Sequence, residues 1–379
     1  MVRTPAVPVN GNALIWARQH VGLDIHSVAD RLQVRPERVD HWERNLEPPS
    51  LARLRQVADL YGQTIAFFMR PTLPEVDDSS RPPDFRGQGA TTPSLALMRE
   101  MDRALHRRKV FLELGSPADF ALDDFVFDSP EEAGAGLRAR LGISDDYAST
   151  DSGKALKQWI TLVENLGVLV FQMSRVEPRE CQGLSLFYSP VPIVILNGAD
   201  DANVRSFTLF HELGHILHRS GALCELEADN EVERECNAFA ASFLLPREPF
   251  LRKMGQAKDP LTLLGATAQH FGVSWSAVAV RLRTLGLITQ QQLDNQLQIA
   301  ARVAAENLER RREKARASKG GPPHHVLKLR NLGPRYVESV LDAFHENRIS
   351  ATDASYFLES KQGVIAKMER ELIKGVTAE

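Results

Sequence analysis

The chain of 379 residues is poor in cysteine, carrying only Cys181, Cys224 and Cys236. Three thiols are too few, and odd in number, to staple a secreted fold, so a disulfide scaffold is excluded and a reducing compartment is expected. No apolar stretch approaches the roughly 18 to 20 residues that a membrane-spanning helix needs. The opening residues, MVRTPAVPVNGNALIWARQ, also lack the sustained hydrophobic region of a secretory leader. The expectation is a cytoplasmic protein with no membrane partner. Charge of either sign is nearly balanced, 46 basic against 49 acidic side chains for a net of −3. That excludes a polycation wrapped along nucleic acid and leaves room for a local DNA-binding face. No internal repeat is present.

With 43% hydrophobic residues and domains of about 150 residues as the usual size, two or three domains are expected. From residue 12 to 70, Leu14, Ala17, Val21, Val28, Leu32, Val39, Trp42, Leu54, Val57 and Leu60 recur at helical spacing. The Pro-, Gly-, Asp- and Ser-rich stretch that follows reads as a linker. Helical periodicity returns at 95–114, 130–143 and 153–166. LGVLVFQ, LSLFY and VPIVILN are then short, rich in Val, Ile, Leu and Phe, and separated by turn formers, which predicts strands of a small sheet. Long helices are expected near 202–218 and 230–245, a compact helical pair at 259–287, and helices with a cap at Thr352 or Asp353 toward the end. The fold class is mainly α with a small β-sheet (α+β). The expected division is 1–71, a linker at 72–94, a body at 95–288, a charged helix and linker at 289–323, and a helical region at 324–379.

The strongest chemical signal is Phe207-Thr-Leu-Phe-His211-Glu212-Leu-Gly-His215-Ile-Leu-His218. Residues four apart share a helix face, so His211 and His215 can present imidazole nitrogens to one metal, with Glu212 placed to act on a water beside it. A catalytic zinc takes a third protein ligand and keeps one position open. The acidic helix Glu231-Val-Glu233-Arg-Glu235-Cys236-Asn237-Ala-Phe239-Ala-Ala-Ser-Phe243 supplies candidates. Phe239 and Phe243 mark its buried side and Glu233 shares a face with Asn237, which makes Glu233 the third ligand. His218 and Asn237 are read as supporting residues around the ligands, because a fourth protein ligand would close the site.

The strand-like VPIVILN, followed by RSFTLFHELGHILH and the ExECNAFAASFLLP helix, resembles the ImmA/IrrE family of metallopeptidases over roughly residues 85–285. The resemblance implies a Zn2+ cofactor held by His211, His215 and Glu233, with Glu212 as general base. The implied chemistry is hydrolysis of a peptide bond by a zinc-activated water, tightly regulated.

The other signal lies at residues 14–68. Asp24 can cap a helix ending near Leu32, Gln33-Val34-Arg35 makes a turn, and Pro36 opens a second helix ending near Arg44. Val39 and Trp42 face the core, leaving Arg35, Glu37, Arg38, His41 and Arg44 as candidate contacts to a major groove of double-stranded DNA. The pattern LxxARxxxGLDxxxVADxLxVxxxxVxxWExNxxxPSLxxLxxVADLYG is similar to Xre-type (Cro/repressor-like) helix-turn-helix domains, though Gln33 and Asn45 replace their usual glycines. Residues 1–71 hold nine Arg and seven acids, a weakly basic reader. The acids Glu37, Asp40 and Glu43 stand among those bases and are expected to temper phosphate attraction.

The two resemblances together imply a DNA-associated zinc endopeptidase that cleaves a regulatory protein of the Xre-repressor type. The alternative is a DNA-binding regulator or antitoxin-like partner of a neighbouring toxin, in which the zinc fold senses and cleaves little. A homodimer on DNA and a toxin contact through the C-terminal region would accompany these readings. An intact general base favours the first, because a pure sensor has no use for Glu212.

Overall fold

The computed structural model describes residues 7–69 except 22 and 64, and 93–376 except 117–119, 145–146, 148–150, 219–229, 256–258 and 318–321. Nearly all of the expected linker at 72–94 therefore lies outside the described residues. Contacts group the chain into two compact units, Met1–Pro82 with Ser94–Arg99, and Pro83–Pro93 with Glu100–Glu379.

The first unit holds α1 (Gly11–His20), α2 (Ile25–Leu32), α3 (Pro36–Glu43), α4 (Leu51–Tyr61) and a 3-10 turn at Ile65–Met69. Asn10, Asp24 and Ser50 each cap a helix through a side-chain oxygen that accepts a first-turn N–H. Gln33 ends α2 in the left-handed conformation at φ 52°, and Asn45 does the same after α3 at φ 56°, so these two residues fill the backbone role of the missing glycines. Leu14, Ala17, Val28, Val39, Trp42, Leu54, Val57 and Phe68 form one buried core. Glu43 does not stand among the surface bases as its sequence position implied. It is buried and takes a bidentate pair from Arg18, at 2.6 and 3.0 Å, because its helix position turns it toward α1.

The second unit is built on β1 (Leu169–Met173), β2 (Gly183–Leu186) and β3 (Ile193–Asn197), in the order β1-β3-β2 with β1 parallel and β2 antiparallel to β3. Every strand residue is buried, which explains why the strands read as unbroken apolar runs rather than alternating ones. Around the sheet lie α5 (Leu95–Glu113), of which the part from Glu100 onward groups here, α6 (Pro130–Arg140), α7 (Ser152–Asn165), α8 (Ala202–Leu217) and α9 (Asn230–Leu244). The series continues through α10 (Arg247–Met254), α11 (Leu264–Phe271), α12 (Trp275–Thr284) and α13 (Gln290–Ala317). The core joins Val170 and Leu196 of the sheet to Trp159, Leu209, Phe210, Phe239 and Phe243 of the helices. Phe210 and Phe243 stack at 3.8 Å between centroids, and Trp159 meets both edge-on.

The C-terminal end of α9 is held by polar anchors. Ser242 donates to the Pro130 carbonyl at 2.6 Å, and Gly134 of α6 lies so close that a Cβ there would sit 2.1 Å from the Ser242 hydroxyl. Arg138 donates to the Phe243 carbonyl at 2.8 Å. Arg281 of α12, with its side chain fully enclosed, donates to the Leu245 carbonyl at 2.8 Å and clasps Glu131 of α6 in a two-pronged pair.

The C-terminal residues form α14 (His324–Leu332), α15 (Pro334–His345), α16 (Ala351–Phe357) and α17 (Gln362–Val376), and group with the sheet in the second unit. Gly333, at φ 77°, passes so near the Val170 carbonyl of β1 that a Cβ would stand 2.4 Å from it. The Arg335 backbone N–H donates to Glu164 Oε2 at 3.2 Å, while burial pushes that carboxyl up to about 8. Ser350 takes the cap expected of Thr352 or Asp353. Its hydroxyl accepts the Asp353 N–H, and Asp353 accepts the Ser350 N–H in return, a capping box that places Asp353 at the third helical position.

Glu131→Ala leaves the Arg281 guanidinium enclosed without its counter-charge and is expected to cost about 3 kcal/mol in denaturant unfolding. The double variant Glu131→Ala with Arg281→Met is expected to recover most of that loss.

Candidate metal centre and helix-turn-helix face

The sequence 202–217 turns one side of α8, carrying Leu209, Phe210, Leu213, Ile216 and Leu217, into the core. That rotation leaves His211 and His215, one turn apart, on the side facing α9. Helix α9 buries Phe239 and Phe243 against the same core, and this sets Glu233 of its first turn opposite the two rings. His211 Nε2 and His215 Nε2 stand 3.1 Å apart, and the Glu233 carboxylate oxygens lie 3.4 Å from His211 and 3.2 Å from His215. The structure thus brings together the three residues read from sequence as metal ligands, with all three candidate donor atoms inside 4.8 Å.

These separations test whether a zinc ion fits. Zn–N and Zn–O bonds of about 2.0–2.1 Å in a tetrahedron place neighbouring ligand atoms about 3.3 Å apart, and the three observed distances bracket that value. Protonation points the same way. Burial pushes His211 down to about 4, with the nearby His215 adding to the effect while Glu233 and Asn237 oppose it, so the ring is neutral and its lone pair is available at neutral pH. A hydrogen bond from His215 holds the Glu233 carboxyl below its ordinary range despite partial burial.

Glu212, 2% exposed, lies on the sheet side of α8 next to β2. A Cβ on Gly183 of that strand would meet the Thr208 methyl at 2.4 Å and Glu212 Oε1 at 3.4 Å, so the glycine is what admits the Thr208 methyl against the strand, with the Glu212 carboxylate next to it. Sequence pattern alone could not reveal Gly183, since strand pairing, not spacing, puts it there. Asn237, one turn beyond Glu233, stands beside the His211 ring. His218 caps the end of α8, with Nε2 3.3 Å from Glu235 and its ring 3.9 Å from that of Phe127. Its partners are thus an acid two residues from Glu233 and an aromatic from the loop before α6.

In the first unit, Arg35, Glu37, Arg38, His41 and Arg44 are all exposed on or beside α3, while Val39 and Trp42 are buried behind them. Arg44 pairs with Asp40 at 2.9 Å and Arg38 with Glu47 at 3.0 Å. Of the three acids expected to temper this face, Glu43 is turned away and Asp40 is engaged by Arg44. The buried Arg18–Glu43 pair removes one charge of each sign from the surface, so the net count of the unit is unchanged, and Arg35 and His41 stand on the face beside the paired Arg38 and Arg44. Among the described residues, no helix is long and apolar enough to cross a membrane.

Comparison with known proteins agrees with this division. Residues 14–68 match the family described as helix-turn-helix, and residues 163–283, which span β1 to α12, match the IrrE N-terminal-like domain, a peptidase family. No curated protein matches the chain. The chain is accordingly a fusion of an Xre-type helix-turn-helix domain with an ImmA/IrrE metallopeptidase-type domain.

Proposed function

We propose that the protein is a DNA-associated zinc endopeptidase that hydrolyses peptide bonds of a regulatory protein, with an Xre-type repressor as the substrate class. The observation that carries the reading is the trio His211, His215 and Glu233 at tetrahedral spacing, with Glu212 next to His211 in sequence and buried.

When bound, zinc supplies a Lewis acid that acidifies water and polarises a scissile carbonyl. The protein's own groups do the rest. His211, its ring neutral through burial, and His215 offer imidazole nitrogens, and Glu233 brings the single negative charge of the set. Glu212 takes the proton of the attacking water and passes it to the departing amine. Because Glu212 sits among Gly183, Thr208 and the strand rather than in open water, its carboxylate is fixed in place before substrate arrives, which is what a general base needs. Asn237 steadies the His211 ring from behind.

The substrate class rests on the fusion itself. A protein that holds DNA through Arg35, Arg38 and His41 is concentrated where repressors also sit, and tethering raises the encounter rate with a neighbour on the same duplex without any new contact.

Glu212→Gln is expected to keep zinc binding and fold while cleavage of a co-expressed repressor, followed by mass spectrometry, falls by at least about a hundredfold. Unchanged cleavage contradicts the assignment. On the DNA side, Arg35→Ala is expected to weaken binding and to lower the slope of log affinity against log salt by about 0.9 if it contacts one phosphate, read by gel shift or anisotropy across a salt series. A slope and affinity equal to those of the unaltered protein place Arg35 off the DNA.

A further inference from the structure

The ligand trio spans two helices, so its geometry depends on how closely α8 and α9 approach. Their contact nearest the trio is glycine against cysteine. A Cβ built on Gly214 would lie 3.2 Å from Cys236 Sγ, 3.2 Å from Phe239 Cδ1 and 3.3 Å from Cys236 Cα. Each of these is tighter than ordinary van der Waals contact. The third is to backbone, which no side-chain rotation relieves. Gly214 directly precedes His215, and Cys236 lies three residues, just under one turn, after Glu233, so the crossing and the ligands are a single turn apart on both helices.

We infer that the Gly214–Cys236 contact is a positioning device for the metal centre, setting the distance at which Glu233 meets His211 and His215. The inference rests on the metal-site reading above and adds residues that are neither ligands nor base. Helix α9 cannot evade a larger residue at 214 by sliding, because α6 and α12 hold its far end through Ser242, Arg138 and Arg281. A side chain at 214 instead levers the first turn of α9 outward by a few tenths of an ångström. Metal–ligand distances tolerate only about 0.2 Å, so a small displacement at the crossing becomes a large loss at the trio. Cys236, fully buried, fills the space that glycine leaves, and a smaller residue there gives back part of the room.

The test uses the full chain and measures zinc affinity by competition with a chromophoric chelator, the visible spectrum after Co2+ substitution, and thermal unfolding of the metal-free protein. Gly214→Ala is expected to weaken zinc binding about tenfold or more, the scale of lost outer-shell support at zinc sites, and to alter the Co2+ spectrum. The double variant Gly214→Ala with Cys236→Ala is expected to regain part of the affinity and to move the spectrum back toward the original, because the Sγ contact is removed while those to Phe239 Cδ1 and Cys236 Cα remain. If Gly214→Ala unfolds the metal-free chain, Cys236→Val, which crowds the same crossing from α9 while Gly214 is kept, is expected to weaken zinc binding and alter the Co2+ spectrum in the same sense. The inference is overturned if Gly214→Ala, or Cys236→Val in its place, binds zinc as the unaltered chain does, or if none of the Gly214→Ala loss is recovered on truncating Cys236. An unaltered chain that binds no zinc overturns the metal reading beneath it, a result distinct from either of these.

Discussion

Close packing of α8 on α9 is the constraint on which the proposed metal centre depends. A metal site drawn from one helix can rely on the 3.6-residue repeat, which places His211 and His215 on one face wherever that helix forms. The proposed third ligand has no such guarantee, since Glu233 arrives from a separate helix, twelve residues intervening between the end of α8 and the start of α9. Its placement depends on buried aromatic packing among Phe210, Phe239 and Phe243, and on the glycine that lets the two backbones approach.

The polar groups buried around that crossing follow from the same constraint. An enclosed arginine is costly unless partnered, and Arg138 and Arg281 donate to the carbonyls of Phe243 in the last turn of α9 and of Leu245 just beyond it. Arg138 and Arg281 accordingly act as fixed struts that tie α6 and α12 to the end of α9. In the first unit, Arg18 and Glu43 form a comparable internal pair behind the exposed face of α3. At the sheet, the glycine of β2 makes space for the Thr208 methyl of α8, one turn before Glu212. The C-terminal helices pack along β1 through Gly333 and Glu164.

Much of this was legible in the sequence wherever local rules govern. The three strands, the two helices carrying the proposed ligands, and the exposed set on α3 all follow from periodicity, capping and turn chemistry. Where the outcome depends on tertiary pairing, the sequence was silent or misleading. Glu43 reads as a surface acid by its neighbours, but its helix phase points it at Arg18. Thr352 and Asp353 read as caps because they precede an apolar run, yet Ser350 lies at the position where a hydroxyl reaches the third N–H. Gly183 carries no motif at all, and its place beside Glu212 comes from strand order. The packing of residues 324–376 on the sheet was likewise hidden, because its anchors, Gly333 and Arg335, meet partners more than 160 residues away in sequence.

The central claim is that two helices converge to offer one metal two imidazole nitrogens and one carboxylate oxygen. X-ray absorption spectroscopy at the zinc edge of the zinc-loaded full chain tests it most directly. The account predicts nitrogen and oxygen neighbours at about 2.0–2.2 Å, outer-shell scattering from two imidazole rings, and no sulfur neighbour. A sulfur shell near about 2.3 Å, or the absence of imidazole scattering, would contradict it.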